Sequence, residues 1–448
     1  MLINELGTFV ANTRYETLPP AVADTVKLRV LDLLAAGLAG HYMGCHRQIL
    51  PALGGAPEAT VWGAGTRIAL RDAILVNSFM SHALYLDDGS RFTGGHPSPV
   101  VIPPALGLGE TQHSSGRALI AAVAAGYEVF LRLGRAIYPS TVVRGFQSTA
   151  VLGAVSSAAA CANLHGFTPQ TATHALAIGC NLGVGLKEAL KSSGSQPIQV
   201  GRSAEAGVLV ARFVQHGAAG ADSILENGFL RAFAENADAA GICAGLGTEY
   251  RIFETYIKAH GGCRGNHAPV DVVQDTVAKH GIKAADIAKM VVRVDTVTDA
   301  AEIHNPRNGE QGQFSVAFSV AVALLFGDAS IFQFTDAKVN DPRVREMMGR
   351  ISVEVDKALD AGYPEKRASS TLIETTDGRR VEGYIDNAKG EPEQPFSPAE
   401  IEKKFLTLAR ETMPGYGEQV HELVMRLETV TDVSALTALL THGVSKPS

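Results

Sequence analysis

The sequence predicts a mainly α protein with an α+β part: a large all-helical domain built from both chain ends, plus a smaller inserted α+β lid domain. Three observations predict it. Ala-rich segments with helical spacing recur up to residue 215. β-branched runs gather after Asp286 and before Asn387. Ser397-Pro-Ala-Glu400 then has the form of a capping box with Pro at the first helical position, and the pattern is helical from there to the end. The helical domain is accordingly placed at 1–267 and 397–448, and the lid at 268–396.

Taken in order, Val26, Val30, Leu33, Leu34 and Leu38 recur at helical spacing between Pro20 and Gly40. Gly116–Leu133, Thr149–Leu164, Pro169–Gly179 and Ser203–Gln215 follow as Ala-rich helices, whose small side chains suit burial on most sides. Ala268–Val277 reads as a further helix. Met290–Thr298, Ile351–Val355, Ser369–Thr375 and Arg380–Ile385 are β-rich, the last two flanking Asp377-Gly378, a hairpin signal. The seam between two such domains is a common place for a small-molecule cleft.

Composition narrows the function. With 46% hydrophobic and 19% charged residues in 448, a large core is expected and extensive disorder is not. A net charge of −7 argues against a nucleic-acid binder. Cys45, Cys161, Cys180, Cys243 and Cys263 are odd in number and scattered, the usage of reduced thiols in a cytoplasmic protein. The start, MLINELGTFV, carries Glu5 and no basic region, unlike a signal peptide. Ala118–Ala125 and Val316–Phe326 are apolar but too short to span a membrane. No Walker A, Gly-x-Ser-x-Gly, His-Glu-x-x-His or dinucleotide fingerprint occurs, so no cofactor is expected.

Two clusters carry chemistry. In NSFMSHALYLDDGSRFTGGHPSPVVIPP, an apolar helical run delivers Asp87 and Asp88 into a Gly-rich loop, and His96 follows eight residues after Asp88. A carboxylate and an imidazole on one loop can serve as acid and base. The same residues can equally cap a helix end and satisfy a backbone group. The second cluster, YIKAHGGCRGNH, holds Lys258, His260, Cys263, Arg264 and His267 ahead of a helix, the composition of an anion site. It can also be a solvated helix start. Metal-ligand spacing at His260, Cys263 and His267 lacks a fourth ligand, and the flanking cations disfavour an ion, so no metal is expected. Arg202 is either an anion clamp or an exposed first-turn charge.

The chain resembles the MmgE/PrpD family from end to end, a family that includes 2-methylcitrate dehydratase, cis-aconitate decarboxylase and iminodisuccinate epimerase. The resemblance rests on LDLLAAGLAG (Leu31–Gly40), NSFMSHALYLDD with GGHPSPVVIPPALGLGE, VGRSAEAGVLVA (Val200–Ala211), KAHGGCRGNHAPVD (Lys258–Asp271) and GQFSVAFSVAVALL (Gly312–Leu325). It implies a helical domain with a smaller α+β lid, a homodimer, and metal-independent chemistry on di- or tricarboxylates between the domains. Carried over by position, the family's loop His falls on His96, the second of its paired Asp on Asp88, and its Lys on Lys258. The following turn supplies Cys263, Arg264 and His267.

Departures from the family pattern are as informative. Tyr85 stands where dehydratase and decarboxylase members carry Asp, Gln147 where they usually carry His, and Phe318 where they carry Tyr. Gln196-Pro-Ile-Gln199 replaces their Lys-Pro-Leu-His. Expelling hydroxide needs a proton donor on the leaving oxygen as well as a base, and each lost acid–base group removes about 10²–10⁴ in rate. Epimerisation asks only that an α-proton leave and return while cationic donors stabilise the enediolate.

The expected function is therefore cofactor-independent epimerisation at the α-carbon of a polycarboxylate, with iminodisuccinate as substrate. Lys258 and His96 are the expected acid and base, Asp88 orients His96, and Tyr85 is an added donor. Arg264, Arg202, Gln147, Gln196, Gln199, Cys263 and His267 are the expected substrate contacts, with Lys187 and Lys191 as further lysines near the family's lost one. The alternatives are a 2-methylcitrate dehydratase-type or cis-aconitate decarboxylase-type lyase, and a catalytically inactive carboxylate-binding member of the family.

Overall fold

The computed structural model describes residues 1–191 and 194–446 and divides into two compact units. The first comprises Met1–Ala83, Asp87–Thr255 and Ser397–Ser448; the second comprises Leu84–Leu86 and Tyr256–Phe396. The division falls at Thr255/Tyr256, where the sequence reading placed it after His267. Main-chain pairing accounts for the earlier division: Ile257 N–H donates to Gly390, Gly261 N–H to Ala329 and Cys263 N–H to Gln313, all within the second unit.

The first unit is helical, as its periodicity predicts. Helices Pro20–Tyr42, Gly116–Ile137, Ser148–Leu164, Pro169–Gly179 and Ser195–Gln215 cover the five segments of helical spacing, the last starting eight residues before the expected Ser203. Ser148–Asn163 is buried throughout. The physical reason is visible where that helix meets Ser195–Gln215: a Cβ on Gly153 would stand 2.1 Å from Ser203 Oγ, and one on Gly207 2.0 Å from Ser157 Oγ. Glycine at both crossings lets the two backbones approach. A two-stranded ribbon, β1 (Ala59–Val61) and β2 (Thr66–Ile68), is the unit's one sheet among the described residues. Helix Leu70–Ala83 follows the ribbon, and helix Ser98–Gln112 begins just after the Asp-Asp…His loop.

The second unit is α+β. Its sheet runs β4 (Ile351–Val355), β3 (Ile287–Val294), β5 (Ser369–Thr375), β6 (Arg380–Ile385), with β3 and β4 parallel and the other pairs antiparallel. β5 alternates buried and half-buried residues, the pattern of a sheet covered on one face. Helix His267–His280 packs on β5 and β6, and helix Val316–Phe326 joins the same core. The strand expected at Met290–Thr298 ends at Val294, because Asp295 accepts from Thr298 N–H and starts a helical turn. Among the described residues, no helix is long and apolar enough to cross a membrane.

Candidate active site

In the first unit, the loop after helix Leu70–Ala83 builds a hydrogen-bonded imidazole pair. His82, on the helix's last turn and fully buried, places Nδ1 2.8 Å from Asp87 Oδ2. Its Nε2 meets the Gln196 amide nitrogen at 3.2 Å. An amide N–H donates, so Nε2 accepts and the His82 proton sits on Nδ1, directed at Asp87. His96 Nδ1 lies 2.5 Å from the Asp88 carbonyl oxygen and 3.4 Å from Asp87 Oδ2. A carbonyl only accepts, so His96 also carries a proton on Nδ1, and in the neutral ring the lone pair is then on Nε2. The two rings meet edge to face with centroids 5.0 Å apart.

The Gly-rich loop is shaped to hold this geometry. Ser90 N–H donates to Gly95 O at 2.9 Å, closing the loop, and His96 N–H donates to Thr149 Oγ1 at 3.0 Å. Asp88 orients His96 through its main chain. Its carboxylate does other work, accepting from Ser98 N–H at 3.1 Å and from the Tyr127 hydroxyl at 2.9 Å. Arg29 Nε stands 3.7 Å away. Burial pushes the Asp88 carboxyl up to about 6, against the opposing pull of Arg29. Burial and the neighbouring Asp88 likewise raise Tyr127 well above the usual phenol range, so its hydroxyl stays a donor. The carboxylate that reaches the imidazoles is thus Asp87.

His82, Asp87 and His96 each bring a ligand-type atom within 4.8 Å of the others, the one such group among the described residues. The ring nitrogens nearest Asp87 are the two Nδ1 atoms, and their hydrogen bonds assign a proton to each, so neither offers an ion a lone pair on that side. The donor set therefore fits a proton-transfer network rather than a metal centre. The His260, Cys263 and His267 spacing does not converge either: His260 Nε2 is 2.6 Å from Asp271 Oδ1, forming a second His–Asp pair.

In the second unit, Lys258 is 1% exposed and donates from Nζ to the Tyr85 carbonyl at 2.5 Å. Tyr85 has φ +50° and packs its ring edge-on against Phe314, centroids 4.9 Å apart. Cys263 is half-buried, and Arg264 gives both Nε and Nη2 to Glu391 Oε1 at 2.8 and 2.6 Å while stacking over Tyr256. His267 is fully buried at the start of its helix, with its ring centroid 5.2 Å from that of His260.

The remaining expected contacts are engaged elsewhere. Gln147 Oε1 caps helix Ser148–Leu164 by accepting from Ala150 N–H at 2.6 Å. Gln199 clamps both main-chain groups of Leu186. Arg202 is largely exposed and shares Glu205 with Arg71. Lys187 is half-buried on a short helical turn, and the Lys191 side chain lies outside the described residues. Two members of the imidazole network were missed as site residues by the sequence reading. In sequence His82 is one residue of an apolar helical run, and nothing local distinguishes Asp87 from Asp88. The available signal was their spacing of five across a helix end.

Residues 4–241 match the MmgE/PrpD N-terminal domain and residues 260–428 the MmgE/PrpD C-terminal domain. The chain is 25% identical to the cis-aconitate decarboxylase of Aspergillus terreus over 99% of its length and 96% of that protein's. It is 24% identical to the human cis-aconitate decarboxylase over all of its own length and 95% of that protein's. The 2-methylcitrate dehydratase of Escherichia coli strain K12 is 29% identical over 29% of each chain.

Proposed function

Because the chain belongs to the MmgE/PrpD family, we propose that it is an enzyme that moves a proton at carbon α to a carboxylate of a polycarboxylate, and that the reaction is epimerisation, with iminodisuccinate as substrate. The observation that carries this reading is the fixed tautomer of His96. Its Nδ1 proton is committed to the Asp88 carbonyl, so Nε2 accepts the substrate proton as general base. Lys258 is the second proposed proton carrier, and Arg264 the proposed carboxylate-binding donor. His82 is tied at both nitrogens, to Asp87 and Gln196. It therefore orders Asp87 and is not a ready acid for a departing hydroxide, which favours proton return over elimination.

The second reading is a lyase, favoured by the names of the relatives matched along the full chain, cis-aconitate decarboxylases. Incubation with polycarboxylates in deuterated water, followed by NMR, separates the readings. Epimerase places deuterium at the α-carbon with no new alkene. A dehydratase forms an alkene with loss of water, a decarboxylase releases carbon dioxide, and an inactive binder does none of these. Alkene formation without deuterium in recovered substrate would replace the epimerase reading by the lyase.

A homodimer is part of the proposal. On the first unit Leu182, Val184 and Leu186 expose alternate apolar side chains, 41, 65 and 57% accessible, and a second copy is the proposed cover. Sedimentation at a single monomer mass across micromolar concentrations would remove that part.

A further inference from the structure

The second unit holds another guanidinium, at Arg367, just ahead of β5. Its side chain is 16% exposed, and Nη2 donates to Thr298 Oγ1 at 3.2 Å. Asp295 Oδ2 stands 3.7 Å from Arg367 Nε, beyond hydrogen-bonding reach, and Nε has no hydrogen-bond partner among the described residues. Asp295, Tyr363, Cys263 and Tyr256 are close enough to act on it electrostatically.

Arg367 lies against the turn that carries Arg264. A Cβ on Gly265 would stand 2.8 Å from Thr298 Cγ2 and 3.3 Å from Arg367 Nη2, so the missing side chain makes room for both. Arg264, 6% exposed, has the same half-met state: Glu391 takes Nε and Nη2, and Nη1 is buried with no hydrogen-bond partner among the described residues. Tyr256 borders both guanidiniums. We propose that Arg367 joins Arg264 in binding one carboxylate of the substrate, across the Cys263–Asn266 turn.

A buried N–H left unpaired keeps its desolvation penalty, so an acceptor offered to both donors removes it. Charge-assisted donors in a planar fork select a carboxylate over a neutral carbonyl. Glu391 and Asp295 already balance the two cations, so affinity comes from directed donors and not from surplus charge. Helix His267–His280 starts directly after the turn, and its N-terminal partial charge favours the same ligand.

This inference rests on the polycarboxylate reading above, and one experiment separates their failures. Citrate and succinate are titrated calorimetrically into wild-type protein, Arg367→Gln and Arg367→Lys, with thermal unfolding as the fold check. The Gln variant is expected to bind about 10–100-fold more weakly. The Lys variant should fall between, keeping charge but losing the fork. In turnover assays the Gln variant should raise KM by a similar factor with kcat within a few-fold, which a merely structural residue would not do. Equal affinity in wild type and the Gln variant overturns the role of Arg367 alone. Should the Gln variant fail to fold, wild-type affinity in the Lys variant overturns it. A wild type that binds neither probe removes the polycarboxylate reading itself, and this inference with it.

Discussion

The Lys258 ammonium donates to the main-chain carbonyl of Tyr85 at 2.5 Å, and Tyr85 is held at φ +50°, a left-handed conformation that non-glycine residues seldom adopt. The contact spans 173 positions of sequence. Backbone conformations of this kind cost about 1–3 kcal/mol and persist where the surroundings impose them, often at functional sites. Lys258→Met should therefore do two things. It removes a proton carrier, lowering the rate of α-deuterium exchange by about 10²–10⁴. It also removes the buried, charge-assisted hydrogen bond to the Tyr85 carbonyl, lowering stability by about 1.5–3 kcal/mol. Exchange at the wild-type rate in a folded variant would refute the assignment.

His96→Gln should lower exchange by a similar factor, about 10²–10⁴, because glutamine keeps a hydrogen bond and cannot accept the proton. Gln196→Leu tests the network behind it. Leucine offers His82 Nε2 no donor, so Asp87 alone then holds the His82 proton on Nδ1 and the preference for that tautomer weakens. The expected result is a smaller loss, about 10-fold, together with an altered pH–rate profile. An unchanged profile would mean that Gln196 serves packing alone.

How legible the molecule was depends on which kind of signal each part leaves. The helices of the first unit announced themselves through periodicity and small residues, and the hairpin through Asp377-Gly378. The strand end at Val294 did not, since MVVRVDTVT reads as β-rich until Asp295 turns its side chain onto Thr298 N–H. In the site, residue types were legible and partners were not. Gln147 and Gln199 look like ligand contacts in sequence, and local main-chain groups take both. Arg367 has no local mark, because what brings it to Arg264 is the room left by a glycine 102 positions earlier.

The hairpin itself yields a clean measurement. Gly378 has φ +87°, and a Cβ there would meet no atom within 4 Å. Gly378→Ala therefore changes backbone preference and nothing else, and should lower stability by about 1 kcal/mol. Chemical denaturation should show a shifted midpoint with unchanged slope, and activity should stay at the wild-type level. A loss of activity would show that the β5–β6 turn has a functional role.

Asp88 provides the pH test. Burial raises its carboxyl to about 6 from the usual 3.8. For an acid shifted upward, the folded state binds the extra proton, so its favourable contribution is full below about pH 4 and is lost as pH rises to about 6. A shift of about two units corresponds to about 3 kcal/mol. Asp88→Asn keeps an acceptor for Ser98 N–H and gives Tyr127 a donor in place of an acceptor, while abolishing the titration. The variant should gain on wild type between pH 4 and pH 7, by up to about 3 kcal/mol. Denaturant midpoints across that range measure it. A stability difference that stays flat with pH would mean that Asp88 is not held in its acid form by burial. The carboxylate would then be a permanent anion paired with Arg29, and its anchoring of the His96 loop would rest on charge.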